Sequence, residues 1–265
     1  MRSTRLSYGF DIRFHDLAGD GTPLVFIHGL GCASSSDFVA AARAPALRGR
    51  RVLLVDLPGY GFSDKPNSFR YGVAAQADAL CELLELLSVG KVNLFGHSMG
   101  GAIAITACAR RPDLTGRLIL AEPNLDAGGG VFSRAIASRT EQDYVLSGHA
   151  SEVRDAAASG NFAWAGSMSV ALPLAVHRDA VSLVQGAEPS WRKQLQRLTG
   201  VPRTVIFGER SLPDSDHERL PDSGIAVDVV PDAGHAMAID NPASLAAALA
   251  RACVANVSGR PGADT

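Results

Sequence analysis

A serine between two glycines carries the strongest chemical signal in this sequence. The apolar segment KVNLF (residues 91–95) leads into GHSMG (residues 96–100), and the helix-compatible segment GAIAITACARR follows. Glycines two residues to either side of Ser98 suit a tight strand-to-helix turn, where neighbouring backbone comes too close for side chains. The turn would expose the Ser98 hydroxyl at a helix N-terminus, whose free N–H groups stabilise developing negative charge. Acyl transfer through a nucleophilic serine is the chemistry that such an arrangement serves.

A serine between glycines also occurs in ordinary loops, so the residues before and after it decide the interpretation. Here a β-rich run precedes Ser98 and a helix-compatible run follows it, which is the context that a nucleophile at such a turn requires. We therefore interpret Ser98 as a catalytic nucleophile. The rest of the chain should then supply a base, an acid and an oxyanion hole.

His235 is the histidine that we expect to act as the base. It follows the strand-like letters IAVDVV (residues 225–230) and the turn PDAG (residues 231–234). An imidazole can accept the serine proton and later return it to the leaving group. The competing interpretation is a surface or capping histidine. We expect structural roles for His28 and His97, because neither belongs to a metal-ligand spacing such as HExxH.

The elements that must position these residues alternate along the chain. Continuous apolar runs are typical of strands buried on both faces of a parallel sheet, and we predict them at residues 23–29, 51–56, 91–95, 117–121, 201–208 and 225–230. Helical spacing or composition predicts helices over residues 37–47, 73–87 and 242–254. The alternation indicates an α/β fold with a mostly parallel twisted sheet and helices on both faces.

One long segment interrupts this alternation. No strand-like run occurs from about residue 125 to residue 199, where short helical patterns alternate with glycine clusters. We therefore predict a core formed by residues 1–124 and 200–257, an inserted helical lid over residues 125–199 and a flexible tail over residues 258–265.

Four motifs in this order resemble those of the α/β-hydrolase family: HGLG (residues 28–31), DLPGYGFSD (residues 56–64), GHSMG (residues 96–100) and GH (residues 234–235). The resemblance implies an oxyanion loop at HGLG and a nucleophile elbow at GHSMG. It also implies that the backbone N–H groups of Leu30 and Met99 form the oxyanion hole. The family's chain order of nucleophile, acid and histidine fits Ser98 and His235.

The acid is where the sequence departs from the usual family pattern. The resemblance places an aspartate at position 211, which is Ser211 here. A second solution in the family puts the acid at the end of the preceding strand, where the letters LILAE deliver Glu122. Because geometry decides which carboxylate orients the histidine, we expect Glu122, with Asp214 as the alternative.

The resemblance and the serine nucleophile together imply a serine hydrolase that cleaves a small or medium apolar carboxylic ester, thioester or lactone through an acyl-serine. Relatives that displace halide or open epoxides use aspartate at the elbow. Two alternatives stay open: hydrolysis of a carbon–carbon bond in a β-diketone-like substrate, and a ligand-binding protein without turnover. Apolar side chains in the predicted lid favour an apolar substrate: Phe132, Tyr144, Phe162, Trp164, Met168 and Trp191.

Composition limits the possible partners and location. With 46% hydrophobic residues, 20% charged residues and a net charge of −2, the 265-residue chain is typical of a globular protein and shows no nucleic-acid footprint. Neither a signal peptide nor a membrane span is evident, so we expect a cytoplasmic protein that acts on a small molecule. We expect no cofactor and no metal ion, and the oligomeric state stays open.

Overall fold

The computed structural model describes residues 1–254, so the predicted tail over residues 258–265 and the last predicted core residues, 255–257, lie outside the described residues. Eight strands form one sheet, and their bounds are β1 Arg2–Arg5, β2 Asp11–Leu17, β3 Asp20–Ile27, β4 Arg50–Val55, β5 Val92–His97, β6 Thr115–Ala121, β7 Arg203–Gly208 and β8 Ala226–Val230.

The strand order in the sheet is β1-β2-β4-β3-β5-β6-β7-β8. The pairs β1–β2 and β2–β4 are antiparallel, and every pair from β4 through β3 to β8 is parallel. The carboxyl ends of the parallel strands therefore meet at one edge, where open α/β sheets place their ligand sites. The predicted mostly parallel sheet is confirmed.

Thirteen α-helical stretches occur in the described residues, and their bounds are α1 Ser34–Asp37, α2 Val39–Ala42, α3 Gly72–Leu87, α4 Met99–Arg110, α5 Val131–Ala137, α6 Glu141–Asp143, α7 His149–Ala158, α8 Phe162–Ser169, α9 Pro173–Gln185, α10 Trp191–Arg197, α11 Ser215–Arg219, α12 Met237–Asp240 and α13 Pro242–Val254. The predictions over residues 73–87 and 242–254 are confirmed.

The single helix predicted over residues 37–47 is wrong. The backbone leaves the helical region at Phe38 (φ −105°, ψ 1°) and becomes extended at Ala44. Pro45 follows, and a proline disfavours helical conformation in the residue before it. The segment therefore forms α1, α2 and one short 3₁₀ turn over Pro45–Leu47.

Helices cover both faces of the sheet, as the continuous apolar strands predict. In β3, Leu24 and Phe26 belong to one hydrophobic cluster, whereas Val25 and Ile27 belong to the other. Alternate residues of a strand point to opposite faces, so a strand buried on both sides must be apolar throughout. The first cluster packs under α2 and α13, and the second packs under α3 and α4.

Residues 125–199, which we call the inserted segment, lie between β6 and β7. Each residue of this range is described, and none of them lies in a strand. The segment contains α5 to α10 and packs on the core where α9 meets α3 and where α10 meets α4.

A buried carboxylate joins the inserted segment to the core. Asp179 of α9 is fully buried and accepts hydrogen bonds from the Tyr60 hydroxyl (2.7 Å), the Gln76 side-chain amide (3.0 Å) and the Gly72 backbone N–H (2.5 Å). Gly72 is the first residue of α3, so the positive end of that helix also faces the carboxylate. Three donors on core elements thus fix α9 through one side chain.

Asp179 predicts a pH-dependent stability. Burial raises its pKa from 3.8 to about 6, although the bonds from Tyr60, Gln76 and Gly72 oppose the rise. When a carboxyl has a higher pKa in the folded state than in the unfolded state, its bound proton stabilises the folded state. This stabilisation is complete below the unfolded-state pKa and is lost as the pH rises through the folded-state pKa. Between about pH 4 and about pH 7, this carboxyl should therefore remove about 2 kcal/mol from the free energy of unfolding.

Asp179→Asn has no carboxyl to titrate at this position. Urea unfolding of both proteins at about pH 4 and about pH 7 should therefore show that the free energy of unfolding falls by about 2 kcal/mol less in the variant than in the wild type. Any constant offset from the mismatched amide hydrogens of the substituted side chain cancels in this comparison. Equal pH dependence in the two proteins would contradict the assignment.

Candidate active site

Ser98 stands at a sharp turn between β5 and α4. It takes φ 53° and ψ −117°, a conformation that is strained for a residue with a side chain. The turn tolerates no bulk on either side. A Cβ on Gly96 would lie 2.3 Å from the Gly100 carbonyl oxygen, and one on Gly100 would lie 2.2 Å from the Ile27 carbonyl oxygen. Both glycines of the motif are therefore required by close backbone packing.

Glu122 and His235 meet at the carboxyl edge of the sheet. His235 Nδ1 lies 2.6 Å from Glu122 Oε2, and Glu122 Oε1 accepts the backbone N–H of Gly208 at 2.9 Å. A carboxylate on Nδ1 favours the tautomer in which Nδ1 carries the proton and Nε2 keeps its lone pair. Among the described residues 1–254, the hydrogen-bond partners of His235 do not include the Ser98 hydroxyl. The hydrogen bond between a catalytic serine and its base often tightens only when substrate binds.

The electrostatics of Glu122 keep it ionised. Burial alone would raise the pKa of its carboxyl, but hydrogen bonds from His235, from the Gly208 N–H and from Ser211 outweigh burial and lower that pKa. Its backbone has φ 39°, a left-handed conformation that is uncommon for a residue other than glycine.

The structure separates the two candidate acids. Asp214 is the N-cap of α11, and its side chain accepts the backbone N–H of Asp216 at 2.7 Å. Ser211, at the position where the family resemblance places an aspartate, helps to lower the pKa of the Glu122 carboxyl. The geometry thus brings Glu122, and not Asp214, into contact with His235.

The loop after β3 lies against the Ser98 turn. A Cβ on Gly29 would lie 3.4 Å from Ser98 Cβ. The Gly29 carbonyl accepts hydrogen bonds from His28 Nδ1 (2.9 Å) and from the Cys32 N–H (3.2 Å). Because a trans peptide points its N–H opposite to its C=O, these bonds fix the direction of the Leu30 N–H.

Two further details concern the backbone N–H groups of Leu30 and Met99. His28 Nε2 accepts the Leu57 N–H at 3.1 Å, which leaves the proton on Nδ1, and burial lowers the pKa of His28. Met99 is buried as the first residue of α4, and the first N–H groups of a helix have no acceptor within it. Leu30 and Met99 therefore offer backbone donors on the two elements that meet at Ser98.

His97 links the Ser98 turn to the loop of His235. Its Nε2 lies 2.8 Å from the His235 carbonyl oxygen, and the two rings are 4.7 Å apart. A carbonyl oxygen only accepts, so His97 Nε2 carries a proton and donates it. Burial, with a further contribution from His235, lowers the pKa of His97 to about 3. A neutral His97 thus holds the main chain of the candidate base.

A cavity of about 200 Å³ opens beside His235 and Glu122. Its lining combines apolar side chains with three carboxylates and contains no lysine or arginine among the described residues: Glu122, Pro123, Leu125, Val205, Phe207, Asp214, Asp216 and His235. The nearby Arg192 is held between Asp126 and Asp216, at 2.6 Å from each carboxylate. The three carboxylates in its lining therefore disfavour an anionic group in this cavity.

The predicted lid aromatics divide into two groups. Tyr144, Met168 and Trp191 are almost fully buried and pack inside the protein. Phe132 and Phe162 are exposed, and the Phe132 ring contacts Trp164 at a centroid distance of 4.7 Å. The indole N–H of Trp164 donates to the Leu30 carbonyl at 2.9 Å. Trp164, which is partly buried, thus links the exposed Phe132 to the loop after β3.

The described residues 1–254 contain no group of three or more His, Cys, Asp or Glu side chains that could hold a metal ion. None of the helices in that range combines the length and apolar character needed to cross a membrane.

Comparison with known families identifies the fold. A model of the α/β hydrolase fold matches residues 22–204, which is more than two thirds of the 265-residue chain. The chain belongs to the α/β-hydrolase family. An esterase from Exiguobacterium antarcticum has the same fold, with a TM-score of 0.76 and 20% identity over 93% of this chain and 97% of the esterase.

Two curated relatives align with part of this α/β hydrolase. A 2-hydroxy-6-oxo-2,4-heptadienoate hydrolase from Pseudomonas putida is 34% identical over 116 residues, which cover 43% of this chain and 42% of the relative. An sn-1-specific diacylglycerol lipase from Danio rerio is 38% identical over 129 residues, which cover 48% of this chain and 40% of the relative. The matched segments thus span about two fifths of these curated relatives.

Sequence reasoning missed Asp179 as the anchor of the inserted segment in this α/β hydrolase. The signal is present, because Ala175, Val176, Ala180 and Leu183 mark the buried face of α9 and Asp179 falls on it at helical spacing. The neighbouring His177 is buried with its Nε2 2.9 Å from the Arg139 carbonyl oxygen, and Arg178 pairs with Glu141.

The environment of His97 predicts its titration in this α/β hydrolase. A pKa of about 3 means that the ring should stay neutral from about pH 5 to about pH 8, with its proton on Nε2. Nitrogen-15 NMR of histidine-labelled protein measures both properties, and a His97→Gln spectrum assigns the signal. A His97 titration midpoint between about 6 and about 7 would contradict the burial argument.

Proposed function

We propose that this α/β hydrolase cleaves small or medium apolar carboxylic esters through an acyl-serine intermediate, with Ser98 as nucleophile, His235 as base and Glu122 as acid. The observation that carries the proposal is the 2.6 Å contact between His235 Nδ1 and Glu122 at the sheet edge where Ser98 stands. A serine hydroxyl needs a positioned base, and the base needs a third group to fix its tautomer.

The geometry supports a two-step reaction. Ser98 Oγ attacks the ester carbonyl carbon while His235 Nε2 accepts the hydroxyl proton, and the backbone N–H groups of Leu30 and Met99 receive the negative charge on the former carbonyl oxygen. The intermediate then collapses, and the alcohol leaves with the proton that His235 holds. Water repeats the sequence on the acyl-serine and releases the carboxylic acid.

Glu122 would act by orienting His235 and stabilising its charged form. Three donors lower the pKa of Glu122 against the opposing effect of burial, so the carboxylate stays ionised when His235 gains a proton. Ser211 supports this role, because its side chain helps to lower the pKa of Glu122 from the position where the family resemblance places the acid.

The surroundings of the site support a neutral, apolar substrate. The cavity beside His235 has carboxylates and no cationic side chain in its lining, which disfavours an anion. We propose that the inserted segment acts as the lid of this site. Its aromatic pair, the exposed Phe132 and the partly buried Trp164, would contact the apolar part of the substrate.

Carbon–carbon bond hydrolysis is the second candidate. It is favoured by the similarity to the 2-hydroxy-6-oxo-2,4-heptadienoate hydrolase, whose name describes a carboxylate substrate. The acidic lining of the cavity speaks against it. A ligand-binding protein without turnover is the third candidate, because position 211 holds no acid. The Glu122–His235 contact speaks against it, since it supplies a carboxylate to the histidine from another strand.

An activated serine should react with a fluorophosphonate probe. We expect stoichiometric labelling of wild-type Ser98, with no labelling of Ser98→Ala, because only a hydroxyl beside a base attacks the probe quickly. p-Nitrophenyl butyrate should then give a burst of p-nitrophenol as the acyl-enzyme accumulates. A folded wild-type protein that resists the probe and shows no ester turnover would favour the ligand-binding alternative.

Substituting the two candidate acids separates their roles. Glu122→Gln should lower kcat by about 10² to 10⁴, because an amide stabilises the wrong tautomer of His235 and not its charged form. Asp214→Asn, which keeps a helix-capping oxygen, should stay within about twofold of wild-type kcat. Circular dichroism checks that both variants fold. The opposite pattern would make Asp214 the acid.

A further inference from the structure

The inserted segment is bonded directly to the loop that carries the candidate oxyanion donor. Leu30 offers its N–H to the proposed oxyanion, and its C=O accepts the indole N–H of Trp164 at 2.9 Å. Two consecutive peptide groups of this loop are thus held from opposite sides. The Gly29 carbonyl is fixed by the core through His28 and Cys32, and the Leu30 carbonyl is fixed by α8 of the inserted segment.

Packing shows how closely α8 follows this loop. Gly31 has φ 73°, and a Cβ there would lie 2.8 Å from Trp164 Nε1 and 2.3 Å from Met168 Sδ. The loop therefore needs a glycine both for its backbone conformation and for the approach of the indole. The contact leaves little room for the Leu30–Gly31 peptide to rotate while Trp164 stays in place.

The other side of Trp164 reaches an exposed apolar surface. Its ring contacts Phe132, which is 53% exposed, and Val131 and Phe162 beside them in sequence are each 72% exposed. One side chain therefore touches both the oxyanion loop and the apolar surface that we propose contacts the substrate.

We propose that Trp164 is a positioning residue that couples the state of the inserted segment to the geometry of the oxyanion hole. The inference rests on the proposed function, because it assumes that the Leu30 N–H stabilises the oxyanion. When Trp164 donates to the Leu30 carbonyl, the φ and ψ angles on both sides of Leu30 are restrained and its N–H is held toward Ser98. When the indole moves, the Leu30–Gly31 peptide is free to turn, so Leu30 is held only through the Gly29 carbonyl and its N–H is aligned less firmly.

The chain offers a matched control. Its two tryptophans both lie in the inserted segment, and the indole N–H of the fully buried Trp191 has no hydrogen-bond partner among the described residues. Trp164→Phe and Trp191→Phe therefore make the same chemical change, but only the first removes a hydrogen bond. The helix α8 keeps other ties to the core in both variants, including Ser167 Oγ to Asp37 at 3.0 Å.

We expect Trp164→Phe to lower kcat for p-nitrophenyl butyrate about tenfold with a change in KM below about threefold, because the lost bond supports a transition-state contact and not substrate binding. Trp191→Phe should stay within about twofold of wild-type kcat. An active wild type with unchanged kcat in Trp164→Phe, or an equal loss in both variants, would overturn the coupling alone. A wild type without labelling or turnover would overturn both the coupling and the proposed function.

Fluorescence gives a second test that keeps Trp164 in place. In Trp191→Phe, Trp164 is the remaining tryptophan, so its emission reports on the bond to Leu30. Phosphonylation of Ser98, which places an oxygen in the proposed hole, should shift this emission. An unchanged spectrum on a fully labelled protein would overturn the coupling, even if Trp164→Phe does not fold.

Discussion

The sharp turn at Ser98 is the constraint on which the rest of the candidate site depends. A residue with a side chain is held at φ 53° because the backbones of β5, α4 and the end of β3 are in contact around it. Gly96 and Gly100 permit that contact, and any side chain there would separate the strand from the helix. The same packing brings the loop after β3 within reach of Ser98, so the proposed nucleophile and the two proposed oxyanion donors are positioned together.

The acid shows that a parallel sheet can supply one function from two neighbouring strands. In the register of the sheet, Ala121 of β6 lies beside Ile206 of β7, and the Glu122 N–H donates to the Ile206 carbonyl at 3.1 Å. The ends of the two strands therefore reach the same place beside His235. A carboxylate after β6 can thus contact the histidine that a carboxylate in the loop after β7 would also reach, which is why Glu122 is the acid that we propose.

The inserted segment is connected to the core by polar bonds of two kinds. Asp179 receives three donors in a fully buried place, so α9 is fixed by a contact that is costly to break. Trp164 makes a single bond at the edge of the segment, beside exposed apolar side chains. The segment is thus held to the core by a buried carboxylate on α9 and by an indole N–H on α8.

The sequence by itself determined the parallel sheet, the helices on both faces and the positions of Ser98 and His235, because these follow from local patterns of apolar residues and glycines. Even so, it predicted one helix over residues 37–47 where Pro45 breaks the run. Only the tertiary structure brought Glu122, and not Asp214, into contact with His235, gave Asp179 its buried partners and brought Trp164 to Leu30. Those contacts join residues from 86 to 134 positions apart, as in Glu122 with Gly208 and Leu30 with Trp164. Such pairs depend on strand register and helix packing, which no local pattern of residues encodes.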